Sequence, residues 1–199
     1  MTGVQTCALP ISALSGSSLA AQNLVRDIEN GYFDKLLLTP VSRAALLLGP
    51  ILAGGFILGL QAVVVIGVAL LMGLESATGA AGLLAVIGLA ILLGSGFAGF
   101  TVSAALGSGN AAVTNAASFL FFPLTFLTAS FVPLELLSGW LKAAARVNPI
   151  TYVLEAMRSL LNTGWDATLL WQGVAACLAL AVAMYGLAVW ALRSRTRRR

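Results

Sequence analysis

The sequence contains no histidine and only two cysteines, Cys7 and Cys177, among its 199 residues. Metal sites built on imidazole ligands and acid–base catalysis by histidine are therefore excluded. Charged residues make up only 9% of the chain, whereas an ordinary soluble domain has roughly a quarter. The sequence also lacks the GxxxxGK[ST] phosphate loop, so the chain cannot bind ATP by that device.

The chain is correspondingly rich in apolar residues. They form 59% of the chain, and the mean hydropathy is +0.97. A soluble fold of this size could not bury so much apolar surface, whereas a lipid environment does not require it to be buried. Four apolar stretches are each long enough to cross a bilayer as a helix, which takes about 20 residues. They cover about residues 46–74, 80–106, 111–132 and 169–192. Helix is predicted because open strands would leave backbone groups unpaired in lipid.

The basic residues predict the orientation of these four spans. Of the 11 lysines and arginines, five lie in residues 193–199 and three more lie in residues 26–43. Four spans put both groups on the same side, and the positive-inside rule makes that side the cytoplasm. Trp171 and Trp190 bracket the fourth span roughly 28 Å apart, a spacing typical of the two membrane interfaces. The net charge of +4 therefore indicates a membrane flank rather than a surface for nucleic acid.

Residues 26–43 form the first candidate functional segment. Their apolar residues recur at helical spacing and predict one apolar face on a short helix that Pro40 bends or ends. These apolar residues are Phe33, Leu36, Leu37 and Val41. A helix this short needs a surface to lie on. On spacing alone, that surface is either the membrane or a groove in a cytoplasmic partner.

The run Glu29-Asn30-Gly31, followed by LLLTPVSR at residues 36–43, resembles the coupling segment of ABC type-2 transporter permeases, in particular the daunorubicin-resistance type of drug exporter. The resemblance implies that this cytoplasmic helix docks on a separate ATP-binding subunit and transmits its closure to the spans. The coupling residues that it implies are Glu29, Gly31, Phe33, Leu36, Leu37 and Arg43, with Thr39 and Pro40 setting the turn into the first span.

Two short helices between the third and fourth spans are predicted to lie at the outer interface or to dip into it, because both are too short and too charged to cross the membrane. In the second helix, Asn148 and Pro149 read as an N-cap followed by the first helical residue. That helix is predicted to run from Ile150 to about Asn162, and Gly164 suits its end. The string RVNPITY at residues 146–152 resembles the re-entrant segment after the fifth span of the same family. The residues assigned to that segment are Trp140, Asn148, Pro149, Tyr152 and Arg158.

The third predicted span carries a stripe of hydroxyl side chains. Its members are Thr114, Ser118, Thr125 and Thr128, which project within about 80° of one another. Such a stripe should face protein or water, so it serves either hydrogen bonding between helices or the wall of a substrate path. Glycines and serines at helical spacing in the first two spans predict close helix packing, within the chain or between subunits. They are Gly55, Gly59, Ser95, Gly99 and Ser103.

The sequence therefore predicts an all-α polytopic membrane protein with four spans of the six that the family implies, a cytoplasmic coupling helix and an outer re-entrant segment. Residues 1–25 are interpreted as an atypical or truncated N-terminal segment, in which residues 1–11 resemble foreign sequence. Residues 26–192 are interpreted as the permease domain, and residues 193–199 as a basic cytoplasmic tail.

The predicted function is the permease subunit of an ATP-binding-cassette exporter for hydrophobic or amphipathic substrates, which are drugs, lipids or glycans, in the plasma membrane. By the resemblance, the chain is not itself an enzyme, binds no cofactor, uses ATP through a partner subunit, and pairs with a second permease chain as a homodimer or heterodimer. The alternatives are a non-transporting membrane anchor for a cytoplasmic protein and an ion-coupled carrier. The carrier is disfavoured because no ionised residue lies within the four apolar stretches.

Overall fold

The computed structural model describes residues 21–38, 42–73, 76–119 and 139–197. All regular structure in these ranges is helical, as predicted. The helices are α1 (residues 21–29), α2 (Tyr32–Leu37), α3 (Arg43–Leu71), α4 (Gly79–Ser108), α5 (Ala111–Phe119), α6 (Gly139–Val147), α7 (Pro149–Arg158) and α8 (Ala167–Arg197). A π-helical turn, Ser159–Thr163, follows α7 directly.

Three of these helices are long and apolar enough to cross a membrane, at Ala45–Leu71 in α3, Gly79–Ser108 in α4 and Ala167–Ser194 in α8. They correspond to the first, second and fourth predicted spans, and the chain is a polytopic helical membrane protein. Of the third predicted span, α5 covers only the beginning, and residues 120–132 lie outside the described part of the chain. Trp171 and Trp190 are both exposed on α8.

The start of α3 has a clear local cause. Ser42 is its N-cap, and the Ser42 hydroxyl accepts a hydrogen bond from the Ala45 backbone N–H at 3.3 Å. Pro50 lies inside α3 and donates no backbone hydrogen bond to the preceding turn. At its other end α3 is followed by a short turn, and Thr78 then leads into α4.

Helix α4 lies at the centre of the bundle, with α3 packed on it at one side and α8 at another. Small residues allow these close approaches. A Cβ atom at Gly55 would lie 2.8 Å from the Ile91 carbonyl oxygen, and one at Gly99 would lie 3.0 Å from Met184 Cβ. The predicted close packing of the glycines is therefore confirmed, and these contacts join helices of the same chain.

Two apolar clusters form at opposite ends of the bundle, because α3 and α4 are antiparallel. The α1 core gathers the beginning of α3 and the ends of α4 and α8 around α1. Its buried members are Ala21, Leu24, Val25, Leu47, Ile51, Val102, Ala105, Leu106, Ala188, Ala191 and Leu192. The α7 core gathers the other end of α3 and the first part of α4 around α7. Its buried members are Leu58, Ala62, Ile66, Val86, Leu89, Ala90, Leu93, Phe97, Ile150, Val153, Leu154, Ala156, Met157, Leu160, Leu161 and Cys177.

Candidate coupling site and re-entrant segment

Helices α1 and α2 are joined by a sharp turn at Gly31. Gly31 has φ 69° and ψ 7°, a left-handed conformation that residues with a Cβ rarely adopt. Its N–H donates to the Ile28 carbonyl at 3.1 Å, and the Asn30 N–H donates to the Arg26 carbonyl at 2.9 Å. The Glu-Asn-Gly run thus ends one helix and begins another.

The predicted coupling residues are placed around this joint. Glu29 is the last helical residue of α1 and is exposed, while Leu36 in α2 is half-buried. The backbones of Phe33 and Leu37 lie in α2, and the backbone of Arg43 begins α3. Thr39, Pro40 and Val41 lie outside the described residues. The structure therefore places Glu29 and Gly31 at the end of α1, whose buried residues belong to the α1 core, and α2 directly after this joint.

Two apolar side chains near the joint were not singled out by the sequence pattern. Tyr32 is 55% exposed and Leu38 is 87% exposed, one at each end of α2. A search for apolar residues spaced three and four apart does not select Tyr32, the first residue of α2, or Leu38, its C-cap. Their exposure leaves apolar surface available at both ends of α2.

The predicted stripe of hydroxyl side chains on the third span begins in α5, where Thr114 and Ser118 form what is here called the polar face of α5. Thr114 is fully buried, and its hydroxyl donates to the Asn110 carbonyl at 2.9 Å. The buried Ser118 hydroxyl donates to the Thr114 carbonyl at 3.1 Å. These donors are satisfied along their own helix, as is common for hydroxyl side chains in helices. Thr125 and Thr128, the other members of the predicted stripe, lie outside the described residues.

One hydrogen bond ties the beginning of α1 to α5. Gln22 Nε2 donates to Asn115 Oδ1 at 3.0 Å in a partly buried position. Neither residue was among the candidates from the sequence. The two are 93 positions apart, so no local pattern could have indicated that they meet.

Helix α7 begins as the sequence predicts. Asn148 is its N-cap and Pro149 its first residue, and Asn148 Oδ1 accepts from the Ile150 N–H at 3.1 Å. The Tyr152 hydroxyl donates back to the Arg146 carbonyl at 2.8 Å, which fixes the turn between α6 and α7. In α6, Trp140 is exposed and Ala145 is buried.

Helix α7 packs closely on α8. A Cβ atom at Gly173 would lie 2.7 Å from Ala156 Cβ and 3.3 Å from the Tyr152 carbonyl oxygen. The missing side chain at Gly173 therefore allows α7 to approach the backbone of α8. With one face also in the α7 core beside residues of α3 and α4, this segment enters the bundle instead of lying on its surface.

The end of α7 differs from the prediction of a regular helix to about Asn162. The α-helix ends at Arg158, which is half-buried, and the π turn Ser159–Thr163 continues to Gly164, where φ is 115°. Carbonyls of this turn accept hydrogen bonds from the turn between α3 and α4. Thr78 Oγ1 donates to the Leu160 carbonyl at 2.6 Å, and the Ala77 N–H donates to the Leu161 carbonyl at 3.1 Å. The π-helical turn thus forms where its carbonyls accept hydrogen bonds from outside the helix.

The described residues thus form a helical membrane bundle with a jointed helical segment at one end and an inserted helix at the other. The family model described as ABC-2 type transporter matches residues 8–162. The chain belongs to the ABC-2 type transporter family.

Curated relatives agree with the family. The chain is 26% identical over 147 residues to a protein named "Probable doxorubicin resistance ABC transporter permease protein DrrC" from Mycobacterium tuberculosis, found in two strains. It is 30% identical over 156 residues to "Daunorubicin resistance ABC transporter permease protein DrrB1" from Streptomyces coeruleorubidus. Each alignment covers 74% of this chain and 53% of the relative, so the chain spans about half the length of the curated relatives it matches. No solved structure matches the chain.

Proposed function

We propose that this chain acts as the membrane-spanning permease subunit of an ATP-driven exporter in the plasma membrane. A separate ATP-binding subunit supplies the energy, and a second permease chain completes the membrane part as a homodimer or heterodimer. The end of the bundle that holds the α1 core, together with the arginine-rich end of α8, faces the cytoplasm. Membership of the ABC-2 type transporter family supports the ATP-binding partner and the second permease chain. The excess of basic residues in residues 26–43 and 193–199 supports the orientation.

The observation that carries the proposal is the attachment of the α1–α2 joint to the bundle. Ala21, Leu24 and Val25 are each at most 4% exposed, and they pack with residues of α3, α4 and α8. A partner that pushes on α2 would therefore push, through α1, on all three membrane helices at once. A flexible tether would leave α1 free of the bundle, and it would fit an anchor better than a transporter.

The proposed substrates are hydrophobic or amphipathic molecules. Both named relatives carry doxorubicin or daunorubicin resistance in their names, and both compounds suit a first assay. The polar face of α5, at Thr114 and Ser118, is the proposed wall of the substrate path. Its hydroxyl oxygens keep the capacity to accept a hydrogen bond, because each hydroxyl has two lone pairs beside the proton it donates.

The coupling role is tested by placing a charge on α2. We expect Leu36→Asp and Leu37→Asp to abolish co-purification with the ATP-binding subunit and to stop efflux of daunorubicin, because a carboxylate cannot be buried unpaired in an apolar groove. Thr168→Asp is the matched control, since Thr168 is exposed in the first turn of α8 and far from α2 along the bundle. Association and efflux that persist in both α2 variants would refute the docking role of this helix.

The orientation is tested by labelling single cysteines in intact cells, with Cys7 and Cys177 replaced by serine. Ser194→Cys, near the end of α8, should stay unlabelled by a membrane-impermeant thiol reagent until the cells are opened. Trp165→Cys, which precedes α8 and is exposed, should label from outside. The reverse pattern would overturn the proposed cytoplasmic side.

A further inference from the structure

The hydrogen bond between Gln22 and Asn115 stands apart from the apolar contacts that hold α1. The α1 core fixes α1 against α3, α4 and α8 through methyl and methylene groups, and Ala111 at the start of α5 packs against the same core. Apolar packing is not directional, so it resists separation more than it resists rotation or sliding. An amide-to-amide hydrogen bond needs a donor–acceptor distance near 3 Å and a favourable angle, so it fixes one register. The Gln22–Asn115 distance of 3.0 Å meets that requirement.

The pair joins two elements with different proposed roles. Gln22 lies on α1, which leads through the Gly31 joint into α2. Asn115 lies on α5, directly after Thr114 and three residues before Ser118, the two described members of the polar face. A rotation or shift of α1 therefore moves the part of α5 that carries this face.

We propose that Gln22 and Asn115 form a positioning pair that passes the displacement of α2 to α5 and thereby sets how much substrate is moved per ATP hydrolysed. This inference rests on the proposed function as a permease. Closure of the ATP-binding subunits displaces α2, α1 follows through the joint, and the amide pair holds α5 in register with α1. Without the pair, apolar contacts such as the one at Ala111 do not hold α5 in a fixed register, so α1 moves without carrying α5 fully with it.

The test compares variants that remove the pair with one that keeps it. Gln22→Leu and Asn115→Leu replace one amide each by an apolar side chain of similar size. The exchange variant, Gln22→Asn combined with Asn115→Gln, retains two amides with the same total side-chain length. Gln172→Leu is the control, since Gln172 is an exposed glutamine in the first part of α8. Each variant is reconstituted with the ATP-binding subunit in vesicles, and ATP hydrolysis and doxorubicin uptake are both measured.

We expect both leucine variants to hydrolyse ATP at close to the unmodified rate while doxorubicin moved per ATP falls about fivefold, the factor that one hydrogen bond of ordinary strength represents. The exchange variant should recover most of that ratio, and Gln172→Leu should leave it unchanged. Thermal unfolding midpoints are recorded for all variants, because a purely structural tie would lower the midpoint without changing the ratio.

The outcomes separate this inference from the proposed function. If the unmodified chain neither binds the ATP-binding subunit nor moves doxorubicin, the permease function fails and the positioning role falls with it. If binding and transport are intact but the leucine variants keep the unmodified ratio, the positioning role alone is overturned. A lowered thermal unfolding midpoint with an unchanged amount of doxorubicin moved per ATP overturns it as well. If the exchange variant does not recover that amount, the amide pair does not act by fixing the register of α5 on α1.

Discussion

The contact between Gly173 and α7 allows a quantitative prediction. In Gly173→Ala, the new Cβ would lie 2.7 Å from Ala156 Cβ, with the Tyr152 carbonyl oxygen at 3.3 Å. Carbon atoms pack best at about 3.5–4.0 Å, so α7 must move away by roughly 1 Å. Overpacking of this kind costs about 1–3 kcal/mol. The substitution also gains about 1 kcal/mol of helix propensity, so the net loss of unfolding free energy is smaller than the overpacking cost.

Gly186, a second glycine in α8, provides a control for the gain in helix propensity that accompanies Gly173→Ala. A Cβ atom at Gly186 would meet nothing within 4 Å, so Gly186→Ala should be neutral or stabilising. The difference between the two alanine variants then equals the overpacking cost alone, about 1–3 kcal/mol. Ala156→Gly removes the closest clash in the Gly173→Ala background, so it should cost less there than in the unmodified chain, since the two positions are in contact.

The assay is thermal unfolding in detergent, followed with a thiol-reactive fluorogenic dye. Cys177 is fully buried, so it reacts only when the bundle opens, and Cys7 is replaced by serine to leave a single thiol. We expect a lower unfolding midpoint for Gly173→Ala than for Gly186→Ala. Equal midpoints for the two variants would refute the placement of α7 directly against α8, and with it the description of the segment as inserted in the bundle.

Three further substitutions test other contacts. Gly55→Ala places a Cβ 2.8 Å from a backbone carbonyl oxygen of α4; we expect it to lower the yield of folded protein, while Gly67→Ala, with open space at its Cβ, leaves the yield unchanged. Asn148→Ala removes the N-cap of α7 and should cost about 1 kcal/mol by thermal unfolding, whereas Asn148→Asp keeps the cap and should cost less. Thr78→Val loses the hydrogen bond to the π turn and should speed amide hydrogen exchange in residues 159–163; unchanged exchange there would contradict this tie.

The sequence predicted what depends on local composition and spacing. The long uncharged runs predicted the three membrane helices to within a few residues, because lipid leaves helix as the state that satisfies the backbone. The Asn-Pro pair predicted the start of α7, since a cap and its first residue act within one turn. The Glu-Asn-Gly run marked the joint before α2, where the structure has a left-handed glycine.

What the sequence did not predict depends on contacts between distant segments. The π turn after α7 forms where the turn between α3 and α4 supplies donors from residues about 80 positions away. The Gln22–Asn115 pair spans 93 positions, and each residue alone is an ordinary polar side chain on a helix. The close packing around Gly55 and Gly99 was predicted, but the choice between intrachain and intersubunit contacts required the arrangement of α3, α4 and α8.

The position of α7 also constrains the order in which the protein matures. Most of its described partners on other helices belong to α8, which is made after it, and fewer belong to α4, which is made before it. Until α8 has been made, α7 lacks Gly173, the residue whose missing side chain allows the close approach to Ala156. We therefore expect residues 139–166 to join the bundle only after α8 is inserted. A chain stopped before residue 173 should leave this segment open to proteases, and extension of the chain through α8 should protect it.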